Sequence, residues 1–226
     1  MKFNLNKINL KNINLHKNTI TNTILFNGWA IHEYSSLINY DINIEPEYLT
    51  ILHIMTLVWQ YVGLFIIAHD LHHDRKPSKY DSTLGRLSLL LYGGFMLEDF
   101  SEKHREHHVF PGTDQDPDFY DGNAVVWYLN FMKRYINLKQ IFIQLGFYFI
   151  YKNLGITNEN MILFWALPSL LASIQLFFYG TYLPHGKDGE IKDTNLPRWL
   201  QTLTSYNFGY HVKHHASPET KWQDLD

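Results

Sequence analysis

Histidine is the residue of this sequence best placed to do chemistry. The chain has 226 residues and 13 histidines, ten of them at or after His69. Most fall in three tight motifs: His69-Asp-Leu-His-His73, His104-Arg-Glu-His107-His108 and His211-Val-Lys-His214-His215. Residues three and four apart share one face of a helix, so each motif aims two or three imidazoles at one point. Neutral imidazole is a borderline ligand that suits iron, zinc, copper and nickel. A single zinc takes four ligands and would leave at least four rings unexplained. Two metals account for them. Four-helix carboxylate proteins build a two-metal centre from Glu and Glu-x-x-His projecting inward; here histidine alone does that work. One such motif is more often an accident of a helix surface than a ligand set, whereas three in one chain reverse those odds.

His185, in the run LPHG, is a candidate ninth ligand. His72 competes with His73, and the i, i+4 register with His69 favours His73. His16, His32 and His53 lie outside the cluster, and His53 reads as a satisfied polar residue inside a helix. Among the acids beside the motifs, Asp70 is the preferred acceptor for an imidazole N–H, the contact that fixes ring orientation in metal sites. Glu98, Asp99, Glu102 and Glu106 read more readily as solvated charge. The run PGTDQDPD after the second motif is a turn-rich loop whose aspartates either anchor that motif or act only as turn residues.

Composition closes several alternatives. With no cysteine, disulfides, thiolate-ligated zinc, iron–sulfur clusters and thiol nucleophiles are all excluded. No HExxH occurs, so the zinc metalloprotease signature fails. A formal charge of −3 gives no nucleic-acid footprint. Aromatics make up 16% of the chain, a load suited to lipid headgroups.

The elements that must position the histidines are legible from where cations are missing. No Lys or Arg occurs between Lys17 and Arg75, and Lys152 stands alone between Gln140 and Gly186. A cation at the bilayer centre costs roughly 2.5–3.5 kcal/mol, so such gaps mark crossings. Tyr48–Ala68 is a strong span of the ~20 residues a crossing needs. Thr21–Tyr40 is a poor one, interrupted by His32 and Glu33. Leu138–Tyr151, with an extension back through Trp127 to Tyr135, and Met161–Tyr182 form a hairpin about the polar turn KNLGITNEN. Leu87–Leu97 is too short to cross and reads as a re-entrant or interfacial segment. The expected fold is an all-α integral membrane bundle of about four spanning helices plus that segment, with a cytoplasmic histidine-rich cap. Residues 1–20 form a polar leader without the apolar core of a cleavable signal. Residues 21–226 form a single domain.

The pattern HxxxH, HxxHH, HxxHH resembles the membrane fatty-acid desaturase and hydroxylase superfamily. More narrowly, FIIAHDLHH, EDFSEKHREHHVFPGTDQDPDF, TYLPHG and FGYHVKHHASPETKWQDL are similar to β-carotene ketolases. The resemblance runs from about Gly63 onward. It implies a non-haem di-iron oxygenase that uses O2 and reduced ferredoxin to turn the ring methylene at carbon 4 of β-carotene into a ketone, through two hydroxylations and loss of water. It carries the iron ligands onto His69, His73, His104, His107, His108, His211, His214 and His215, with His185 in addition. Aromatic residues near the motifs, Trp59, Tyr92, Phe95, Phe110, Phe178, Tyr182 and Phe208, are candidates to line a slot for the polyene, with plain packing the commoner role. A carotenoid ring hydroxylase or fatty-acyl desaturase is the alternative within the superfamily. A histidine-rich metal-binding or transport protein is the alternative outside it.

Overall fold

The apolar stretch without cations folds as the central helix. In the computed structural model, which describes residues 17–74, 77–186 and 190–226, it is α2, Glu47–His72. Around it lie α1 (Lys17–Asn39), α3 (Lys79–Gly93), α4 (Leu97–Val109), α5 (Ala124–Tyr135), α6 (Leu138–Asn153), α7 (Asn158–Tyr182), α8 (Arg198–Ser205) and α9 (His211–Ala216). No strand occurs among the described residues. The expected polar leader falls outside them apart from its last residues, which already belong to α1.

Among the described residues two helices are long and apolar enough to cross a bilayer, α2 with 26 residues and α7 with 25. At 1.5 Å per residue each is roughly 38 Å long, more than the ~30 Å hydrocarbon core. Only 33% of the apolar window of α7 is buried, and 50% of that of α2, so much of the apolar surface of each is left uncovered. The other expected spans differ. Helix α1 has the length, but it carries polar groups that pair inward: His32 lies 2.8 Å from both Gln60 and His53, and Ser36 lies 3.2 Å from His53. Such contacts glue helices where lipid supplies no hydrophobic drive. Helix α6 has 16 residues, about 24 Å, and does not extend back to Trp127. Asn137 stops it, accepting from the backbone N–H of Gln140 while the Gln140 side chain accepts from the Asn137 N–H, a reciprocal cap that separates α5 from α6. The Leu87–Leu97 segment is also divided. Its first part completes α3, which Gly94 ends at φ 74°, and Leu97 opens α4.

The core forms where α1, α3 and α7 pack on α2 through Leu57, Tyr61, Val62, Leu64, Ile66 and Phe164. Helices α6 and α7 meet through the expected hairpin, which turns at Gly155 with φ 79°. Asn160 ties α7 to the end of α1, donating to the carbonyls of Leu37 (3.2 Å) and Tyr40 (2.9 Å). Helix α7 is not uniform. Pro168 has no N–H to give, and beside it the turn widens, the N–H of Leu167 reaching Ile162. A second wide turn covers Phe177–Tyr182, where Leu183 donates to Phe178 at 3.0 Å. It delivers the chain to His185.

After α8 the chain reverses through Tyr206 and Asn207, both left-handed at φ 51° and 63°. A bulky residue holds that conformation only when its surroundings over-determine it. The Tyr206 ring stacks on Trp59 at 4.9 Å, its hydroxyl donates to the Trp59 carbonyl at 3.2 Å, and Trp222 meets it edge-on at 5.0 Å. The reversal is what brings α9, with the third motif, back against α2. Its fit requires Gly63, where a Cβ would lie 2.7 Å from the Tyr206 hydroxyl. Gly63→Ala is therefore expected to cost about 1–3 kcal/mol of stability, read as a lower helix-melting temperature by circular dichroism in detergent.

Candidate metal centre

The three motifs, remote in sequence, converge at the ends of four helices. His69 closes the last turn of α2 and His73 follows it; His104, His107 and His108 lie on α4; His211, His214 and His215 make up most of α9. His185 follows α7, fixed by backbone bonds from Gly186 to Glu190 (2.8 Å) and from Lys192 to Pro184 (2.7 Å). Both apolar helices thus run toward the histidines. The rings form two groups in which one nitrogen per residue lies within 4.8 Å of the others: His69, His73, His104 and His214; and His107, His185, His211 and His215. His108 sits between them, its Nε2 3.1 Å from His104 and 3.0 Å from His214, its ring 4.4 Å from that of His215. All nine histidines singled out from the sequence are brought together. His72 stays outside both groups, its ring 5.6 Å from His104 and 6.1 Å from Phe100.

The facing atoms are Nε2. His73, His104, His108, His214 and His69 make a chain of Nε2 contacts of 2.9, 3.1, 3.0 and 3.2 Å, and His107, His215 and His211 another of 3.0 and 3.1 Å. A neutral ring nitrogen carries either the hydrogen or the lone pair, and each hydrogen serves one acceptor, so these chains cannot all be hydrogen bonds. Several rings are further committed through Nδ1. Nδ1 of His107 is 2.9 Å from a carboxylate oxygen of Asp116, and Nδ1 of His185 is 2.7 Å from the Thr181 carbonyl. Both partners can only accept, so Nδ1 carries the hydrogen, and in the neutral ring Nε2 then presents a lone pair. That lone pair on His185 is buried and has no hydrogen-bond partner. Ligands on a metal–nitrogen bond near 2.1 Å stand roughly 3.0–3.4 Å apart, close to the nearest Nε2 contacts here, while all the ligand atoms of a group lie within 4.8 Å. The donor set fits metal ions, one per group.

Burial keeps the ligands neutral, as metal binding requires. It pushes His73 and His215 down to about 2, His108 to about 3 and His185 to about 4, and the neighbouring rings add to the shift. His104, His211 and His214 are lowered well below the usual range for the same reason. His107 goes the other way. Burial opposes its charge, but the carboxylates of Asp118 and Asp116 outweigh burial and raise it. Asp116, fully enclosed, also accepts from the N–H groups of Gly112 (2.8 Å) and Asp118 (2.8 Å), so it is fixed before it meets His107.

Asp116 is therefore the better-formed support. Asp70, preferred from the sequence, lies beside Nδ1 of His69 at a longer 3.3 Å, with its other oxygen accepting from the Trp222 N–H at 2.9 Å. The DQDPD spacing held the signal for Asp116 without saying which aspartate turns inward. Thr181 acts through its carbonyl and leaves no mark in sequence. Glu98, Asp99, Glu102 and Glu106 are exposed or half-buried on α4, with Glu98 paired to Arg86. Arg134 secures the acidic loop by donating to the carbonyls of Asp116 (2.7 Å) and Phe119 (2.9 Å).

A cavity of about 540 Å³ leads to this centre, and His104, His107 and His211 form part of its wall. The rest is mainly apolar. Tyr92, Phe95 and Phe208 line it as expected, while Trp59, Phe110, Phe178 and Tyr182 do not. At its outer end stand Ile136, Ile141, Leu145 and Leu170, each 45–49% exposed, so the cavity opens on the apolar flank of α6 and α7.

Comparison with known proteins agrees with the geometry. The family model for fatty acid desaturases matches residues 47–163 and 141–226. A β-carotene ketolase from a Paracoccus species is 37% identical over 188 residues, 78% of either chain. A β-carotene ketolase from Haematococcus lacustris is 32% identical over 199 residues, 78% of this chain and 62% of that one. A zeaxanthin 4-ketolase from Chlamydomonas reinhardtii is 34% identical over 189 residues, 75% of this chain and 42% of that one. With most of its length matched on both counts, and with the histidine motifs drawn into two adjoining groups, the chain belongs to the fatty acid desaturase family and, within it, to the β-carotene ketolases.

Proposed function

We propose that this chain oxidises the ring methylene at carbon 4 of a β-carotene-type carotenoid to a ketone, with O2 as oxidant, two irons as resident metals and a reduced ferredoxin-type protein as electron donor. One observation carries the reading: an apolar cavity that opens on the flank of the long helices has histidines of both groups in its wall. The family relationship supplies the substrate class.

His69, His73, His104 and His214 would hold one metal and His107, His185, His211 and His215 the other, with His108 between them. Iron held there supplies the oxidising power from O2 that an allylic C–H bond requires, since such a bond offers no proton for acid–base attack. The chain's own residues do the rest. The Asp116 carboxylate and the Thr181 carbonyl hold the rings of His107 and His185 with Nε2 turned inward. Phe65, Phe95, Phe100 and Phe208 exclude water and restrict how a flat ring can lie beside the histidines. A volume of about 540 Å³ accommodates an end ring and part of a polyene, leaving the remainder of the substrate outside. Two successive hydroxylations at one carbon give a geminal diol, and loss of water leaves the ketone. Asp118 and Tyr135, hydrogen-bonded at 2.5 Å, are polar groups in the wall near His107.

The same reading makes the chain a multi-pass membrane protein with its histidines at the cytoplasmic face. Supporting it are the exposed apolar residues along α2, α6 and α7, such as Ile51, Met55, Phe142 and Phe149, and the missing Lys and Arg around Asp41, Glu45 and Glu47 at the opposite end. A lateral opening toward lipid suits a substrate dissolved in the bilayer.

Expression in bacteria that accumulate β-carotene is expected to shift the pigment from yellow-orange to red, with keto-carotenoids on chromatography. Unchanged β-carotene in an iron-replete strain with the protein in its membrane would refute the activity, and hydroxylated carotenoids or new lipid double bonds without ketones would move it to the related reactions. Purified protein is expected to hold two irons per chain. His107→Ala and His214→Ala are each expected to abolish turnover while inserting normally; ketone formation by either variant would overturn the ligand assignment. Asp116→Asn keeps the shape but loses the charge that orients His107, and should weaken iron binding about 10–100-fold, measured by chelator competition.

A further inference from the structure

The residues after the third motif, 217–226, turn back over the end of α2. Lys221 donates to the Asp70 carbonyl at 2.6 Å and to the Asp74 carboxylate at 2.6 Å. The backbone N–H of Trp222 donates to Asp70 Oδ2 at 2.9 Å, and Oδ1 of the same carboxylate faces His69 Nδ1. On its other side the segment is fastened to α8, α9 and the turn between them. The Trp222 carbonyl accepts from Asn207 at 3.0 Å, the Gln223 carbonyl from Arg198 at 2.9 Å, and the Asp224 carbonyl from Lys213 at 3.1 Å. Leu225 is buried beneath it.

The contacts fall at a chemically sensitive point. The last carbonyls of a helix have no partner within it, and the final turn frays unless something holds them. His69 and His73 straddle that turn, so fraying would separate two members of one histidine group. An ammonium at a helix C-terminus satisfies such a carbonyl and suits the helix dipole. Lys221 grips one group inside the turn and one just beyond it, and its side chain is only 13% exposed, which limits screening by solvent. The fastening on the far side means that the last turn of α2 is registered against α9, which carries His214 of the same group.

We infer that Lys221 and Trp222 are positioning residues for the group His69, His73, His104 and His214, acting through Asp70 and Asp74 to hold the end of α2 in register with α9. The inference rests on the proposed metal-binding role of that group. It singles out one of the two groups: the other takes its members from α4, α9 and the turn after α7 and none from the end of α2, where both side-chain hydrogen bonds of Lys221 fall.

The test uses the full-length protein purified in detergent, with Lys221→Met, Lys221→Arg and, as a control, Lys152→Met, which breaks an exposed hydrogen bond to Asn158. Ferrous iron is titrated against a chelator. Lys221→Met is expected to keep one iron at wild-type affinity and to bind the second at least about 10-fold more weakly, with kcat falling and KM for carotenoid unchanged. Lys221→Arg restores the second iron, and Lys152→Met matches the wild type. A second readout does not need metal: in iron-free protein, amide exchange over residues 69–74 should quicken in Lys221→Met and stay unchanged at α4. If wild type holds two irons and Lys221→Met holds both as tightly, or if exchange at the end of α2 is unaltered, the positioning role is wrong. If wild type binds no iron while Lys221→Met still loosens the end of α2, the metal reading fails and the clasp stands as a purely structural one.

Discussion

The structure turns on a confrontation of imidazoles that cannot satisfy one another. Eight of the nine rings meet with their Nε2 atoms at contacts near 3 Å, and His107 and His185 are already committed through Nδ1 to acceptors that place a hydrogen on the far side. Lone pairs then face lone pairs in a place where water has little access. Burial forbids relief by protonation, since it holds most of these rings neutral. A cation in each group removes the conflict, and the rest of the fold can be read as the frame that keeps the conflict in place until it is removed.

That frame is asymmetric. The histidines of α4 and α9 lie on short helices with few apolar residues, so neither helix would hold its shape alone. Their positions come from the long helices and from loops with specific polar ties. Arg134 and Asp116 brace the loop after α4, and the left-handed pair Tyr206 and Asn207, packed on Trp59, turns the chain into α9. Rigidity at the centre is thus imported from elements that contribute few ligands themselves. The wide turn at Phe177–Tyr182 plays the same part for His185, whose ring it anchors through the Thr181 carbonyl.

Around the centre the division of surfaces is equally uneven. The inner face of α2 is closed by α1, α3 and α7, while its outer half and most of α6 present bare apolar side chains. A cavity that starts on that apolar flank and finishes among imidazoles matches a ligand that is itself apolar up to the atom that reacts. The half-buried polar pairs between α1 and α2 belong to a different task. They hold two helices together at the end remote from the histidines and contribute nothing to either group.

Much of this was legible in the order of residues, because it depends on local spacing. Histidines at i, i+3 and i+4 must share a helix face, a cation-free apolar run must be a long buried or lipid-facing helix, and a Gly within a polar run must turn. Eight of the histidines, the central helix and the hairpin before α7 follow from those rules alone, while His185 was a candidate only by its place after the last apolar run. What needed the tertiary structure was whatever depends on distance between remote segments. Spacing could not divide nine rings into two groups with His108 between them, since each group draws on three or more separate segments of chain. Nor could it add Asp116 to Asp70, because only the folded loop shows which aspartate of that run turns toward His107, while Asp70 lies beside His69. The break between α5 and α6 was missed because apolar character runs across it, and a single reciprocal cap at Asn137 outweighs that continuity. Residue type and spacing fixed which atoms were available for chemistry; the packing of helices distant in sequence decided which of them share a site.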